Sequence, residues 1–291
     1  MGKAFRISFY QIRLRSGSLR IPLIFFMVGC FILENLRPVL EFSKAVEVPV
    51  SPYAFPHLTN DFVCQMVIMA GIVLIFCDAP FEEEGSFYLL PRAGKFYWGL
   101  GQVFYIFLMA LLYVLFLLLL SVLPFLGYLA PGTEWGKIWG TLAKTNAGAQ
   151  FGLTLGVTEY MVSEFQAPEA LLASILLEWA CAAWLGLLIY FLNKLTKSPA
   201  GTITGAFAVL LDICIANDWM NWANRFSPIT LAQINAYAGW NLRYGVTPAY
   251  GICFFIFGIV GFGILGVLAN YREKLGNGWY AWRKKWKRKI S

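Results

Sequence analysis

Residues 96–123 read FYWGLGQVFYIFLMALLYVLFLLLLSVL, and no charge appears between Lys95 and Glu134. About 20 apolar residues cross the hydrocarbon core of a bilayer. This run exceeds one crossing, so it is expected to project into the cytoplasm at its start and to end near Pro124. The rest of the chain agrees with it. Of 291 residues, 59% are apolar and 13% are charged, against ~25% charged in an ordinary soluble domain. A soluble core of this size needs a charged shell to cover it. That shell is absent, which excludes a soluble enzyme, a disordered chain and a collagen-like repeat.

The other spans follow from charge-poor runs on either side. The first covers 21–40, uncharged from Ile21 to Leu33 and then carrying Glu34 and Arg37; the second lies between Asp61 and Asp78. The fourth, 169–193, is interrupted by Glu178, the fifth, 198–216, contains Asp212, and the sixth covers 247–270. With the second at 61–77 and the third at 96–124, the expectation is an all-α polytopic membrane protein of six transmembrane helices. It forms one transmembrane domain over 1–291. The first apolar run follows a 20-residue segment and precedes no small-x-small cleavage pattern, so it reads as a span and not a signal peptide.

Six spans put both termini on one side. With both termini inside, 17 of the 23 Lys and Arg fall on that side. They come from residues 1–20, from Arg92 and Lys95, from Lys194 and Lys197, and from the tail. Positive-inside asymmetry of this size places both termini in the cytoplasm. The net charge of +7 would mark a nucleic-acid binder in a soluble chain. Here the basic ends flank spans, where they set orientation and meet anionic lipid. No nucleic acid is expected. The six cysteines fall within or at the ends of spans without a CxxC pair, and read as small buried hydrophobes. There is no Asn-x-Ser/Thr sequon, which together with the layout points to a bacterial cytoplasmic (inner) membrane.

Outside the bilayer, residues 1–19 read as an amphipathic interfacial helix, with Phe5, Phe9 and Ile12 on one stripe and Lys3, Arg6 and Arg13 elsewhere. The basic tail 271–291 repeats the chemistry with Trp279, Trp282 and Trp286, an anchoring pattern. The loop 78–95 is the unusual cytoplasmic element. Pro80 and Pro91 bracket Glu82, Glu83 and Glu84, then Phe87, Tyr88, Leu89 and Leu90. A plain connector has no need of apolar residues beside an acid cluster; a docking surface does. The outer segment 217–246 is rich in aromatics, and Ser227-Pro228 with Gly239 predicts a short helix over 228–238. Residues 137–164 give no helix or strand signal.

This order of parts resembles the permease subunits of ABC transporters, specifically the type-2 (type V) exporter class. Phe76-Cys-Asp-Ala-Pro-Phe81, Pro91-Arg92 and Phe96-Tyr97-Trp98 are similar to the junction between spans two and three in a group of bacterial permeases. The resemblance covers the whole chain in layout. It implies a second permease copy or paralogue and two cytoplasmic ATPase subunits as partners. The 78–95 loop would then be the coupling segment, docking through Glu82, Glu83, Glu84, Phe87, Tyr88, Leu89 and Arg92. Segment 217–246 would match re-entrant outer helices. The cargo implied is amphipathic or hydrophobic: a peptide, an antibiotic or a lipid.

The chain has no G-x-x-x-x-G-K-[ST] loop, so ATP and magnesium would belong to the partner ATPase, with no cofactor here. An intramembrane enzyme would need His or Ser–His machinery, but the only histidine is His57, in an outer loop. No catalytic residue and no metal ligand set is expected. The alternative function is an ion-coupled transporter or channel. Glu178 and Asp212 lie inside spans, where an ionisable group costs ~2.5–3.5 kcal/mol, so both are candidates for the translocation pathway.

Overall fold

The computed structural model describes residues 2–81, 92–130, 132–238 and 246–272. Among them the chain is helical, with no β-strand beyond an isolated bridge between Val50 and Leu129. The helices are α1 (Gly2–Ser16), α2 (Arg20–Ala45), α3 (Ala54–Asn60), α4 (Phe62–Phe76), α5 (Lys95–Val122) and α6 (Gly136–Lys144). They continue with α7 (Glu159–Glu164), α8 (Ala167–Thr196), α9 (Ala200–Ala216), α10 (Pro228–Leu231) and α11 (Pro248–Arg272).

Four of these are long and apolar enough to cross a membrane: α2, α5 extended to Phe125, α8, and α11 to Tyr271. The protein is a multi-pass membrane protein. All six expected runs are helical, but two are short, α4 at 15 residues and α9 at 17. At 1.5 Å per residue they reach about 22 and 25 Å, less than the ~30 Å hydrocarbon thickness. Helix α3 joins α4 at an 85° bend, and the pair counts as a fifth span if taken together. Helix α2 runs past its expected end at Leu40, through Pro38, to Ala45.

Helix α8 is the axis of the bundle. Of its most apolar window 61% is buried, against 28% for α11 and 33% for α2. It packs on α11, α9, α5 and α4. Small residues set these approaches, as expected between helices in lipid, where close backbone contact replaces the hydrophobic drive. Gly186 lies against Phe76 and Ile106, Gly258 against the Trp184 indole, and Gly266 against Tyr190. Gly251 of α11 lies against Tyr237, whereas Gly261 and Gly263 face open space. The outward row of α11 (Ile252, Ile256, Phe257, Val260, Ile264) is exposed and wholly apolar. Such a row marks a surface that lipid or another protein covers.

Helix α1 lies along α5. Its buried side carries Ala4, Ile7, Ser8, Gln11 and Arg15, with Ile7 seated on Gly101. Phe5 and Phe9 are exposed, Phe5 meeting Phe104 edge-on at 6.2 Å at the rim of the contact, and Ile12 is half-buried. The aromatic stripe that marks the helix as amphipathic is therefore its outward side. The inward side is mixed and polar.

The segments that follow α2 and α5 fold into a cap at one end of the bundle. Ser51 Oγ donates to Trp135 O at 2.5 Å, Trp139 Nε1 donates to Ser51 O at 3.1 Å, and Trp135 Nε1 donates to Phe165 O at 2.8 Å. His57, expected in an outer loop, lies in α3 and is fully buried, stacked on Trp139 at 4.4 Å and tilted against Trp135 at 5.0 Å. Neither ring nitrogen hydrogen-bonds to protein. The ring acts as a third aromatic plate beside the two indoles. The helix expected over 228–238 is broken. Ser227 caps α10 by accepting from Thr230 N at 3.2 Å, but α10 stops at Leu231 and a 3-10 turn follows over Ile234–Tyr237. The reason is a competing partner: Asn235 N donates to Asn60 Oδ1 at 2.8 Å, across to α3. All six cysteines are free.

The approach of α9 to α8 generates a stability test. A Cβ on Gly201 would meet Ile189 O at 2.5 Å and Ile189 Cα at 2.8 Å, both backbone. Gly201→Val is expected to cost on the order of 1–3 kcal/mol and to lower the apparent Tm in detergent. Gly263→Ala, with nothing within 4 Å, is expected to leave the Tm unchanged. Equal melting of the two variants would show that the packing is not tight there.

Candidate functional sites at the Asp78 junction and the buried carboxyls

The stretch that follows α4 is clamped by four helices. Arg20, from α2, forms an ion pair with Asp78, and Arg15, from α1, reaches the same carboxylate at 3.6 Å. Arg20 Nη2 also donates to Ile75 O at 3.3 Å, using a carbonyl that α4 leaves open in its last turn. Beyond the cis Ala79–Pro80 peptide, Phe81 is fully buried. Its ring meets Tyr105 edge-on at 4.6 Å, and the Arg15 guanidinium lies over it at 4.5 Å. Gln11 Nε2 donates to Phe81 O at 3.1 Å.

Asn193, from α8, completes the clamp. Its Nδ2 donates to Ala79 O at 2.9 Å, and its Oδ1 accepts from Gly201 N at 2.7 Å and Thr202 N at 3.3 Å. Those two donors are orphan amides in the first turn of α9, so a side chain from the preceding helix serves as their cap. Thr202 Oγ1 in turn donates to Cys77 O at 3.1 Å. One buried amide thus joins the end of α8, the start of α9 and the exit from α4.

Of the docking residues expected in the loop, Glu82, Glu83, Glu84, Phe87, Tyr88 and Leu89 lie outside the described residues, as do Trp279, Trp282 and Trp286. Arg92 is described and exposed. It is followed by Gly94 at φ +82°, a left-handed turn that favours glycine and feeds straight into α5. The clamp residues Gln11, Asn193 and Thr202 were not among the expected site residues, and Arg15 and Arg20 counted only as charges that set orientation. The available signal was a lone Asn at the end of a long apolar run.

The pathway candidates sit elsewhere, in the core between α4, α8, α9 and α10. Glu178 is fully enclosed and Asp212 is 2% exposed. Gln65 Nε2 donates to Glu178 Oε2 at 3.0 Å, and Thr230 Oγ1 donates to Asp212 Oδ1 at 2.6 Å. The remaining oxygens, Glu178 Oε1 and Asp212 Oδ2, have no hydrogen-bond partner. Cys181, one turn along from Glu178, donates to Pro228 O at 3.3 Å and links the two carboxyls through α10. Among the described residues neither acid forms an ion pair, and no group of three metal-binding side chains gathers anywhere.

No protein-family model, no curated protein and no solved structure matches the chain.

The junction allows a ranking by exposure. Asp78 is 45% exposed, so its ion pairs are screened and each is worth ~1 kcal/mol or less. Asn193 is 3% exposed, and its removal leaves buried amide and carbonyl groups unpaired at ~1–3 kcal/mol. Asn193→Ala is therefore expected to destabilise the protein more than Asp78→Asn, read as apparent Tm in detergent. It is also expected to speed protease cleavage within 78–95. The reverse order would place the ion pairs, not the amide, at the centre of the junction.

Proposed function

We propose that the chain is the membrane-spanning permease subunit of an ATP-driven ABC exporter of the type-2 class. In this reading it has six spans, with both termini in the cytoplasm of a bacterial inner membrane. It pairs with a second permease copy or paralogue and with separate ATPase subunits that carry ATP and magnesium. The cargo class is an amphipathic or hydrophobic peptide, antibiotic or lipid.

The observation that carries the reading is the clamp at Asp78–Phe81. A loop that receives force from an ATPase must have a root that cannot give way. Here the root is tied to α1, α2, α8 and α9 through Gln11, Arg15, Arg20, Asn193 and Thr202. A push on the loop then moves four helices as a unit, which is the coupling that alternating access requires. The six-span count has support from α4 and α9, which pack on one another and lie beneath α3 and α10. The charge asymmetry of 17 to 6 supports the orientation.

The test is on the loop itself. Phe87→Ala with Tyr88→Ala removes two apolar anchors, and loss of a hot spot costs ~2 kcal/mol or more. The double variant is expected to weaken ATPase association by tenfold or more and to lower transport. Membrane insertion stays normal, since no span is altered. Full transport and normal complex formation in the double variant would remove the coupling role from this loop.

The ion-coupled alternative draws on a different observation: two enclosed carboxyls, each with an oxygen that has no partner. Intramembrane acids of this kind are retained for a function or for helix packing. If the chain is an exporter driven by a partner ATPase, Glu178→Gln and Asp212→Asn leave transport dependent on ATP and insensitive to dissipating the proton or sodium gradient. Gradient-driven transport in the wild type, lost in either variant, would replace the ABC reading with the ion-coupled one.

A further inference from the structure

Gln65, Ser174 and Glu178 are each fully buried, on the two helices α4 and α8 that pack together in the core. Ser174 stands four residues before Glu178, on the same face of α8. One side-chain bond crosses between the helices here: Gln65 Nε2 donates to Glu178 Oε2 at 3.0 Å. The other oxygens of the three residues, Glu178 Oε1, Gln65 Oε1 and Ser174 Oγ, have no hydrogen-bond partner. The serine is unusual in this chain. Thr59, Thr196 and Thr204 each donate to the carbonyl four residues earlier in their own helices, the ordinary recourse of a helical hydroxyl. Ser174 does not.

The surroundings offer Glu178 no positive charge. Helices α3, α4, α9 and α10 pack on α8 and contain no Lys or Arg. Helices α5 and α11 carry theirs at one end, Lys95 and Arg272. On α8 itself the first is Lys194, 16 residues along, which is about 24 Å of helix. The titratable groups that face Glu178 are Tyr113 of α5 and Cys181, with Asp212 of α9 beyond Cys181. The Tyr113 hydroxyl is spent on Ile68 O at 3.0 Å and the Cys181 thiol on Pro228 O at 3.3 Å. An ionised carboxylate can only accept. Enclosed without a cation, it is costly enough that the group neutralises instead. A divalent metal does not serve here, since calcium or magnesium takes ~6 oxygens or more, and three side-chain oxygens are open. A proton needs one acceptor, and Gln65 Oε1 is one.

We propose that Glu178 is a proton-binding site: Oε1 carries a hydrogen directed at Gln65 Oε1, so that acid and amide pair through two hydrogen bonds between α8 and α4. The step is a protonation, in which an O–H bond forms on Oε1 and the hydronium ion that supplies it becomes water. That single hydrogen gives both open oxygens of the pair a partner. The contact between α4 and α8 is then conditional on the proton, because its loss sets two oxygens without a donor against each other inside the bundle. The inference concerns the resting charge of the site and holds under either source of energy for transport.

The test uses the full chain in phosphatidylcholine nanodiscs at neutral pH, read by infrared spectroscopy and by thermal melting. Subtracting Glu178→Gln from wild type is expected to leave the C=O band of one hydrogen-bonded carboxylic acid, with no change in carboxylate intensity. Glu178→Gln should melt as wild type, since the new amide is neutral and keeps a donor. Gln65→Met, close in size, should retain the acid band but shift it to the higher frequency of an unbonded acid, and should lower the Tm. If Glu178→Gln fails to assemble, the shift in Gln65→Met decides alone. Loss of carboxylate intensity in Glu178→Gln overturns the proposal, because the group is then ionised. An acid band that Gln65→Met leaves unmoved overturns the pairing. A wild-type Tm that rises with sodium or potassium at fixed ionic strength, and does so no longer in Glu178→Gln, also overturns it, since a monovalent cation then holds the site.

Discussion

The fold depends on how one side-chain amide is spent. Asn193 stands at the end of the central helix, 3% exposed, and answers three backbone groups that hydrocarbon would otherwise leave bare. An unpaired backbone group in an apolar medium costs several kcal/mol, so a helix can begin or end inside a membrane protein only where another group receives its orphans. By capping α9 and holding Ala79, Asn193 fixes the angle of α9 and the exit from α4 together. The ion pairs of Asp78 and the aromatic contacts of Phe81 then build on a backbone that is already placed. Their partners Arg15 and Arg20 come from α1 and the first turn of α2, which lock the near end of the chain onto the same point.

The opposite end of the bundle is organised by aromatic rings in place of amides. Trp135, Trp139 and His57 form a stacked group whose indole N–H groups reach backbone carbonyls of Ser51 and Phe165. These bonds join the segment after α2 to that after α5 and to the start of α8. Asp61 plays a related part at the bend between α3 and α4. Its Oδ1 caps α4 at Val63 N and Cys64 N, and its Oδ2 accepts from Gly156 N at 3.0 Å. An acid read from sequence as the boundary of a span proves to be the hinge pin of that span.

Much of the architecture was legible because the signal was strong and local. Apolar runs located every long helix, since the bilayer imposes a length and a composition on each. The N-terminal helix was legible, but its orientation was not: Phe5 and Phe9 form the obvious stripe, whereas Ala4, Ile7 and Gln11 make the contact. Helix faces are chosen by what the neighbour presents, and Gly101 of α5 presents a notch that accepts Ile7. The cap over residues 126–165 was not legible because it is held by a few side chain to backbone bonds between distant segments. His57 illustrates this, with a role set by two tryptophans about 80 residues further along. The break in the expected 228–238 helix has the same origin, a long-range partner at Asn60. The clamp at Asp78 escaped notice because its members lie on four separate helices and are ordinary residue types at ordinary positions.

The contacts of α1 have a consequence for the order in which the chain is made. Everything α1 touches is synthesised after it: Asp78 and Phe81 follow two apolar helices later, and the notch at Gly101 later still. Until Phe81 is made, Gln11 and Arg15 therefore lack the partner they hold in the folded chain. The exposed Phe5 and Phe9 give the helix an apolar side that a lipid surface can take. Docking exchanges the hydration of Gln11 and Arg15 for Phe81 and its carbonyl. Helix α1 leaves the ribosome before every helix it packs on, and is among the last to reach its final contacts.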